Sequence, residues 1–308
     1  MAEGRNMKYV FIVNPNSRKE GLYTLMNQIK SHFSNEKVII EKTQSMNHAC
    51  HIARKYAFKE EEPIHMFACG GDGTLHEIVN GIAGCKHITL SIVPIGTGND
   101  FVKYFDHLSR EDFLNFDLLK KGEIVRCDLL KVNGEYAINT ISFGFDVHVA
   151  MHVNEYRKKL PVRGILPYYL GMLSSLRKPI SSSFDIQIDD HKLEEKIFSF
   201  VVITNGRYYG GGYKPCPQAL INDSKLDICL IRDVKRTEIL KLAKVYEKGD
   251  HLNYPDLAYV TKGNVVSLHT NNQEIYTNLD GEIRLLKNPT IEIVENQIQL
   301  LIPSKNKE

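Results

Sequence analysis

The chain has 308 residues, 43% of them hydrophobic, and this size favours two domains over one compact core. The formal net charge of +2 argues against a dedicated nucleic-acid binder, which usually carries a strong basic excess. The 6 cysteines form no Cys-x-x-Cys pair, so we interpret them as reduced thiols. The sequence has no signal-peptide core and no apolar run of membrane-spanning length, so we expect a cytoplasmic protein whose membrane contact is peripheral.

Strand and helix patterns alternate along the first third of the chain. Hydrophobic runs typical of buried strands occur at 8–13, 37–40, 64–69 and 88–93. Helical spacing separates them, and Ser45 is expected to open the second helix. This alternation predicts a three-layer α/β domain in which helices cover both faces of a parallel sheet.

From about residue 120 the pattern becomes mostly antiparallel β. Two strand-like runs meet at Asn133-Gly134, a dipeptide typical of hairpins. Further strand patterns lie at 184–190, 197–204, 226–231, 257–269, 274–279 and 290–302, and helical patterns near 147–160, 164–177 and 235–248. We predict an α/β domain over 1–129 and a β-rich, sandwich-like domain over 130–308, whose last segment could pack back on the first.

The stretch CGGDGT, residues 69–74, follows a predicted strand and precedes an amphipathic helix. Thr74 and Glu77 match the T-x-x-E capping box, which makes Thr74 the predicted N-cap. The glycines permit positive φ and leave no side chain between the loop backbone and a ligand. Together with the positive helix end, this loop predicts an anion site. A plain glycine turn before a capped helix is the alternative.

A second glycine loop, VPIGTGNDF at residues 93–101, follows the next predicted strand. Successive parallel strands end at the same edge of a sheet, so both loops are expected to face one crevice. Neither loop has the spacing of the dinucleotide fingerprint or of the Walker loop. The two loops together predict a phosphate site more specifically than either loop alone.

Together, GGDGT (70–74) and PIGTGND (94–100) resemble the diacylglycerol kinase catalytic-domain family, in particular its soluble, YegS-like bacterial lipid-kinase branch. Other segments that match are VNPNS (13–17), CDLLKVN (127–133), NGRYYGGG (205–212), CPQALINDSKLDI (216–228) and NLDGE (278–282). The resemblance therefore spans nearly the whole chain.

This resemblance implies an ATP- and Mg²⁺-dependent lipid kinase with its active site in the cleft between two domains. The γ-phosphate of ATP would pass to a free hydroxyl of a membrane lipid, with diacylglycerol as the expected acceptor. One alternative is an NAD kinase-like enzyme, which shares a GGDG loop. Another is a catalytically silent regulator that binds a nucleotide or a lipid. The GTGND and DGE motifs favour the lipid kinase.

The resemblance also assigns the nucleotide site by matching position. Its residues would be Asn14, Pro15, Asn16, Ser17, Thr43, Gly70, Gly71, Asp72, Gly73, Thr74, Gly96, Thr97, Gly98 and Asn99. Asp72, Asp100 and Asp128 would organise Mg²⁺ and water around the phosphates, because Mg²⁺ prefers oxygen ligands.

In the second domain, the resemblance assigns a base and a structural metal. Glu282 is the favoured general base, ahead of Asp280 in the same DGE motif. Asp223 and the carbonyls of Leu220 and Lys225 would hold a structural Mg²⁺.

The chain departs from the family pattern at several positions. Glycine is usual where this chain has Arg18, asparagine where it has His76, and Asp-Asp-Gly where it has Asn222-Asp223-Ser224. Arg18 is expected to alter nucleotide affinity. Ser224 makes the structural metal site less certain than the other assignments, because serine tolerates the turn less freely than glycine.

The segment RGILPYYLGMLSSLRK, 163–178, is the candidate for lipid contact. Basic residues flank it: Arg157, Lys158, Lys159, Arg163, Arg177 and Lys178. A basic-flanked apolar helix suits an anionic membrane surface, although a helix packed on the β domain would show the same pattern. No nucleic-acid partner is expected, and a homodimer is left open.

Overall fold

The structure is a computed structural model that describes residues 7–17, 19–34, 36–59, 62–159 and 166–305. The interpretations of Arg18 and of the basic residues between 157 and 163 therefore cannot be compared with the structure. Arg18 and Arg163 lie outside the described residues, and so do the side chains of Arg157, Lys158 and Lys159.

The secondary structure alternates strands and helices at first and is dominated by strands afterwards. The strands are β1 (Lys8–Val13), β2 (Lys37–Lys42), β3 (Ile64–Gly70), β4 (Ile88–Pro94), β5 (Glu123–Val132), β6 (Glu135–Ala137), β7 (Thr140–Gly144), β8 (Ser182–Ser183), β9 (Asp185–Ile188), β10 (His191–Lys192), β11 (Ile197–Thr204), β12 (Leu226–Arg232), β13 (Ala258–Gly263), β14 (Val265–His269), β15 (Glu274–Leu279), β16 (Glu282–Lys287) and β17 (Thr290–Ile302). The α-helices are α1 (Lys19–His32), α2 (His48–Lys59), α3 (Asp72–Ile82), α4 (Arg110–Phe113), α5 (Phe116–Lys120), α6 (Phe145–Lys159), α7 (Leu166–Ser175) and α8 (Ile239–Lys248). Short 3₁₀ segments lie at Phe101–Tyr104, Arg236–Glu238 and Asp250–Asn253.

The chain divides into two compact units. The first comprises Met1–Cys127 and Asn296–Glu308, and the second comprises Asp128–Glu295. β5 and β17 each contribute residues to both units.

A parallel sheet in the order β17–β4–β3–β1–β2 forms the centre of the first unit. Every residue of β3 is buried, as expected for a strand covered on both faces. On one face, Phe11 and Phe67 stack with centroids 4.2 Å apart. Phe33, which directly follows α1, and Phe116 of α5 pack edge-on against them. α2 and α3 contact β1 and β3, so the α/β prediction is confirmed.

The predicted capping box at the start of α3 is wrong. α3 begins at Asp72, its N-cap is Gly71, and no side chain caps it, so Thr74 lies inside the first turn. The Glu77 carboxylate instead accepts hydrogen bonds from the backbone N–H groups of Asn47 and Ala49, at 2.8 and 3.0 Å. Glu77 thus satisfies free donors at the start of α2, which begins at His48 and not just after Ser45.

The second unit is an antiparallel β sandwich, which confirms the prediction. One sheet has 7 strands, in the order β13–β12–β11–β7–β15–β16 with β8 beside β11. The other contains β10–β9–β14–β17 together with β5 and β6. Side chains of β11 alternate between two cores: Val201 and Ile203 lie between the sheets, whereas Phe200 and Val202 pack against α6, α7 and α8.

Two local predictions about the second unit are confirmed. Asn133 and Gly134 have φ of 49° and 81° and join β5 to β6, as the hairpin signal predicted. The three helical patterns correspond to α6, α7 and α8. Across the described ranges, no helix combines the length and the apolar character needed to cross a bilayer.

Candidate active site

The predicted nucleotide residues lie at the carboxyl edge of the parallel sheet. Register places the ends of the strands side by side: Val13 pairs with Lys42 and with Cys69, and Gly70 pairs with Pro94. The residues that follow these strand ends are the predicted ones, Asn14 to Ser17, Thr43, Gly71 to Thr74 and Gly96 to Asn99. The first unit therefore brings the predicted set to one edge, where open α/β sheets bind ligands.

The two glycine loops contact each other directly. The Gly96 N–H donates to the Gly70 carbonyl at 3.0 Å. A Cβ on Gly96 would lie 2.3 Å from the Gly71 Cα, and a Cβ on Gly70 would lie 2.3 Å from the Thr74 Oγ1. Among the described loop residues only Asn99 has positive φ, at 51°, so these glycines do not use the conformational freedom that they permit. Close packing, rather than backbone conformation, is what requires glycine here.

Loop contact brings two carboxylates together. The Asp72 carboxylate accepts hydrogen bonds from the N–H groups of Asp100 and Phe101, at 2.7 and 3.4 Å. Burial, together with the neighbouring Asp100 carboxylate, raises the pKa of Asp72 to about 7. The Lys103 ammonium contacts Asp100 at 2.5 Å and compensates only part of this negative charge.

A second network orders the loop after β1. The Asn14 side chain accepts from the Asn16 N–H at 3.0 Å and donates to the Thr74 hydroxyl at 3.2 Å. The Asn14 carbonyl accepts from the Ser17 N–H at 3.1 Å. Across the edge, the Asn99 amide donates to the Gly96 carbonyl at 2.9 Å. Because no side chain caps α3, its first N–H groups face this edge as potential anion donors.

In the second unit, Asp280 is fully engaged with the backbone. Its carboxylate accepts hydrogen bonds from the N–H groups of Ile138, Asn139 and Thr140, at 2.9, 3.0 and 2.9 Å. Asp280 and Gly281, with φ of 51° and 101°, form the tight turn between β15 and β16. Asp280 therefore anchors the turn.

Glu282 begins β16 directly after this turn and is partly exposed. Its carboxylate lies 3.9 Å from an Arg284 guanidinium nitrogen. Arg284 is held at 2.7 and 3.0 Å by the Glu135 carboxylate, so it is committed mainly to that partner. Glu282 is thus the carboxylate of the DGE motif that remains accessible for chemistry.

Asp128 contacts the segment that carries the predicted structural metal residues. The buried Asp128 carboxylate accepts from the Ser224 N–H at 2.9 Å, and the Asp128 N–H donates to the Ile221 carbonyl at 2.7 Å. Ser224 has φ of 60°, in the left-handed region where the family pattern has glycine.

The Lys262 ammonium lies beside Asp223, one of the predicted ligands of the structural metal. Asp223 accepts from the Lys225 N–H at 3.2 Å and from the Lys262 ammonium at 2.7 Å. Lys262 also lies 3.3 Å from the buried Asp227 carboxylate. A divalent cation beside this ammonium would be repelled, so the residues present do not fit a structural Mg²⁺.

Sequence reasoning missed the residues that hold the Glu282 turn from outside the DGE motif. The Asn154 amide donates to the Gly281 carbonyl at 3.0 Å, and the Asn278 side chain accepts from the Gly281 N–H at 2.9 Å. Asn278 is the first residue of the NLDGE motif, so the sequence did carry a local signal for its role in the turn. Asn154 lies 127 positions from Gly281 and left no local signal.

Comparisons with known proteins identify the family of the chain. Residues 8–132 match the diacylglycerol kinase catalytic domain, and residues 139–302 match the YegS C-terminal NAD kinase beta sandwich-like domain. The chain is 30% identical to a diacylglycerol kinase of Bacillus subtilis (strain 168) over 276 residues, which is 88% of each protein. The chain belongs to the diacylglycerol kinase family of YegS-like lipid kinases, and it is a lipid kinase.

Solved structures show the same fold. A crystal structure of a diacylglycerol kinase from Bacillus anthracis str. Sterne has a TM-score of 0.71 at 22% identity, covering 96% of each chain. Another B. anthracis structure has a TM-score of 0.76 at 24% identity, covering 98% of this chain and 97% of the other.

Proposed function

We propose that this lipid kinase transfers the γ-phosphate of ATP, with Mg²⁺, to the free hydroxyl of diacylglycerol and yields phosphatidic acid. The observation that carries the proposal is the contact between the two glycine loops, which sets Asp72 and Asp100 beside the uncapped start of α3. The B. subtilis relative, a diacylglycerol kinase, supports the choice of acceptor. We propose a cytoplasmic enzyme that meets its lipid at the inner face of the membrane.

Asp72 and Asp100 would hold the Mg²⁺ that accompanies ATP. A raised carboxyl pKa beside a second carboxylate marks a place where a cation is favourable. Among the described residues, no group of three or more His, Cys, Asp or Glu side chains could hold a metal ion. Two carboxylates nevertheless fit, since Mg²⁺ in kinases is often bound by one or two carboxylates plus phosphate oxygens. When bound, Mg²⁺ neutralises phosphate charge.

The protein's own groups then bind and orient the nucleotide. The first N–H groups of α3 and the backbone of the two glycine loops would donate to phosphate oxygens, an arrangement that favours anions. The network of Asn14, Asn16 and Thr74 would fix the adjoining loop. Positioning and charge stabilisation of this kind account for most of the catalysis in phosphoryl transfer.

We propose Glu282 as the general base that accepts the proton of the acceptor hydroxyl. Support comes from Asp280, whose carboxylate is occupied by three backbone donors. A base must be able to accept a proton from substrate, and a carboxylate already bound to three N–H groups is poorly suited to that task.

The direct test is transfer of labelled phosphate from ATP, with Mg²⁺, to a panel of dispersed lipids. The panel contains diacylglycerol, monoacylglycerol, sphingosine, phosphatidylglycerol and undecaprenol, with NAD as a soluble control. We expect diacylglycerol to be labelled fastest and label to be lost on chelation of Mg²⁺. Preferential labelling of another lipid would replace the proposed acceptor, and labelling of NAD alone would contradict lipid phosphorylation.

A further inference from the structure

One polar network of the second unit ends at the turn that carries Glu282. It passes through Ser142 in the middle of β7, whose neighbours Ile141 and Phe143 lie in the core between the two sheets. Side chains alternate along a strand, so Ser142 points to the opposite face, on which α6 packs. Ser142 is 0% exposed, and a hydroxyl buried in this way requires hydrogen-bond partners.

Two side chains share the Ser142 hydroxyl. It donates to the Asp146 carboxylate in the first turn of α6 and accepts from the Asn278 side-chain amide at 3.3 Å. Asn278 is 4% exposed and lies directly opposite Ser142 in the register of β7 and β15. Gly144, with φ of 91°, lets β7 pass directly into α6, because a Cβ there would lie 2.6 Å from the Ser199 carbonyl oxygen. Ser142 therefore connects the start of a helix to the neighbouring strand.

The Asp146 carboxylate sets the direction of these hydrogen bonds. Its other oxygen accepts from the Tyr209 hydroxyl at 3.0 Å, so both oxygens face hydroxyl donors. Desolvation within the fold raises the pKa of Asp146, and the two hydroxyls oppose that rise because they stabilise the ionised form. An ionised carboxylate can only accept, so the Ser142 proton points to Asp146 and a lone pair of the Ser142 oxygen is left for Asn278.

This direction continues into the turn. The NH₂ group of Asn278 faces Ser142, so its carbonyl oxygen faces Gly281, whose N–H donates to it at 2.9 Å. With the amide reversed, the NH₂ group would meet the Gly281 N–H, donor against donor, and this hydrogen bond would be lost. The orientation of the Asn278 amide therefore depends on Ser142 and, through it, on Asp146.

Gly281 is held on its other side as well. Its carbonyl accepts from the Asn154 amide of α6 at 3.0 Å, and this carbonyl belongs to the peptide bond that leads into Glu282. A Cβ on Gly281 would meet nothing within 4 Å, so packing adds little at this point. Hydrogen bonds from side chains therefore hold the peptide groups on both sides of Gly281.

We propose that Asp146 and Ser142 are positioning residues for phosphoryl transfer, which act through Asn278 to fix the turn from which Glu282 projects. This inference rests on the proposed role of Glu282 as the base and adds what sets its position. The ion pair of Glu282 with Arg284 is long, at 3.9 Å, so the backbone of the turn is the firmer constraint on its carboxylate. Displacement of a reacting group by about 1 Å can lower a rate about 10²-fold.

The first test measures the hydrogen-bond network without catalysis. Ser142→Ala removes the hydroxyl that orients Asn278, and Ser199→Ala removes an equally buried hydroxyl from β11 of the same sheet as the matched control. Amide hydrogen exchange of the Gly281 N–H, followed by NMR, should be roughly threefold to tenfold faster in Ser142→Ala, the usual contribution of one hydrogen bond. It should be unchanged in Ser199→Ala. Exchange at the wild-type rate in Ser142→Ala would overturn the proposal.

The second test determines whether the network acts through the proposed base. Phosphate transfer to the fastest-labelled lipid of the panel is measured for Ser142→Ala alone and in a Glu282→Gln background. Ser142→Ala alone should lower kcat by roughly tenfold to 100-fold, with the KM for ATP within about twofold, because the proposed nucleotide residues belong to the first unit. In the Glu282→Gln background it should lower kcat by less than about twofold, since the group that it positions is gone. Ser199→Ala should keep the wild-type kcat.

Two substitutions of Asp146 separate hydrogen bonding from packing. Asp146→Asn keeps a carbonyl oxygen that can accept from Ser142, whereas Asp146→Leu has the same branching and no acceptor. We expect Asp146→Leu to lower kcat as far as Ser142→Ala does, and Asp146→Asn to lower it at least about threefold less. Equal losses of kcat in the two variants would contradict the assigned direction of the Ser142 hydrogen bond.

Failure of the positioning role and failure of the proposed base give different results. A Glu282→Gln enzyme with wild-type kcat would exclude the base and, with it, the positioning role. If Glu282→Gln has a low kcat, equal losses from Ser142→Ala in both backgrounds would overturn the positioning role alone. A wild-type kcat in Ser142→Ala would overturn it in the same way.

Discussion

Gly71 and Gly96 lie so close together that a Cβ on Gly96 would be 2.3 Å from the Gly71 Cα. The two residues belong to loops that follow neighbouring parallel strands, and backbone contact between these loops sets the spacing of the site. Neither residue has positive φ, so glycine is required here because the backbone of the facing loop leaves no room for a Cβ. Loss of this contact should affect both folding and nucleotide binding.

Gly96→Ala should lower the free energy of unfolding by roughly 1–3 kcal/mol, because the new Cβ meets backbone atoms that cannot rotate away. It should also weaken ATP binding. Gly134→Ala is the control, because its Cβ meets nothing within 4 Å and only its φ of 81° is unfavourable. Urea unfolding and calorimetric ATP titration distinguish the two, and unimpaired ATP binding by Gly96→Ala would contradict the packing argument.

Asp72 should make the stability of the ligand-free protein depend on pH. Its folded-state pKa of about 7 lies above the ordinary 3.8, so the folded state keeps a proton that the unfolded state releases. The stabilisation is complete below pH 3.8 and is lost as pH rises through about 7. Asp72→Asn should be more stable than the wild type at pH 8 by roughly 1–2 kcal/mol and should show less pH dependence.

The measurement for Asp72 is urea unfolding at pH 5 and pH 8 without nucleotide. Adding Mg²⁺ at pH 8 should stabilise the wild type and leave Asp72→Asn unchanged, because a cation favours the ionised carboxylate. Parallel pH profiles for the two proteins would contradict the assigned origin of the raised pKa.

Glu282→Gln and Asp280→Asn should separate chemistry from structure. We expect Glu282→Gln to lower kcat by about 10²–10⁴-fold with the free energy of unfolding unchanged within about 0.5 kcal/mol. Asp280→Asn places an NH₂ group against backbone donors and should destabilise the fold by roughly 1–3 kcal/mol. A Glu282→Gln enzyme with wild-type kcat would exclude Glu282 as the base.

We expect the Lys262 ammonium to occupy the place of a metal ion beside Asp223 and the 3% exposed Asp227. Lys262→Met leaves these carboxylates uncompensated and should destabilise the protein at pH 7 by roughly 1–3 kcal/mol. The comparison is made in an Asp72→Asn background, which removes the other proposed Mg²⁺ site. In that background thermal unfolding should be unaffected by a chelator while Lys262 is intact, and Lys262→Met should regain stability when Mg²⁺ is added. Chelator sensitivity with Lys262 intact would contradict this interpretation.

Replacement of Ser224 by glycine should increase the stability of the protein. At φ of 60° a Cβ is unfavourable, so Ser224→Gly should stabilise the protein by about 0.5–1 kcal/mol, the benefit being reduced by the extra freedom of unfolded glycine. Ser224→Val should destabilise it, because β-branched residues suit positive φ least. Denaturant midpoints for the three proteins provide the comparison.

The sequence predicted the features that depend on local pattern. Mostly apolar runs such as 64–69 and their alternation with helices predicted a parallel sheet, and strand order then placed both glycine loops at one edge. Asn133-Gly134 predicted its hairpin because the turn chemistry lies within two residues.

Contacts between distant segments could not be predicted in the same way. Glu77 stands at the N3 position of a capping box by spacing, yet its carboxylate binds the start of another helix 28–30 residues away. The packing of Gly96 on Gly71 and the contact of Lys262 with Asp223 likewise depend on tertiary proximity. One chain carries no local pattern for such partners.

The last strand has a consequence for biosynthesis. Gln299 and Leu300 of β17 pair with Thr89 and Leu90 of β4, and the Ser91 hydroxyl donates to the Leu301 carbonyl at 2.9 Å. A ribosome releases β17 only after the entire second unit, so one edge of β4 has no partner strand during most of translation. An exposed, hydrophobic edge of that kind is prone to pair wrongly, and nascent chains stalled before residue 296 should depend on chaperones to stay unaggregated.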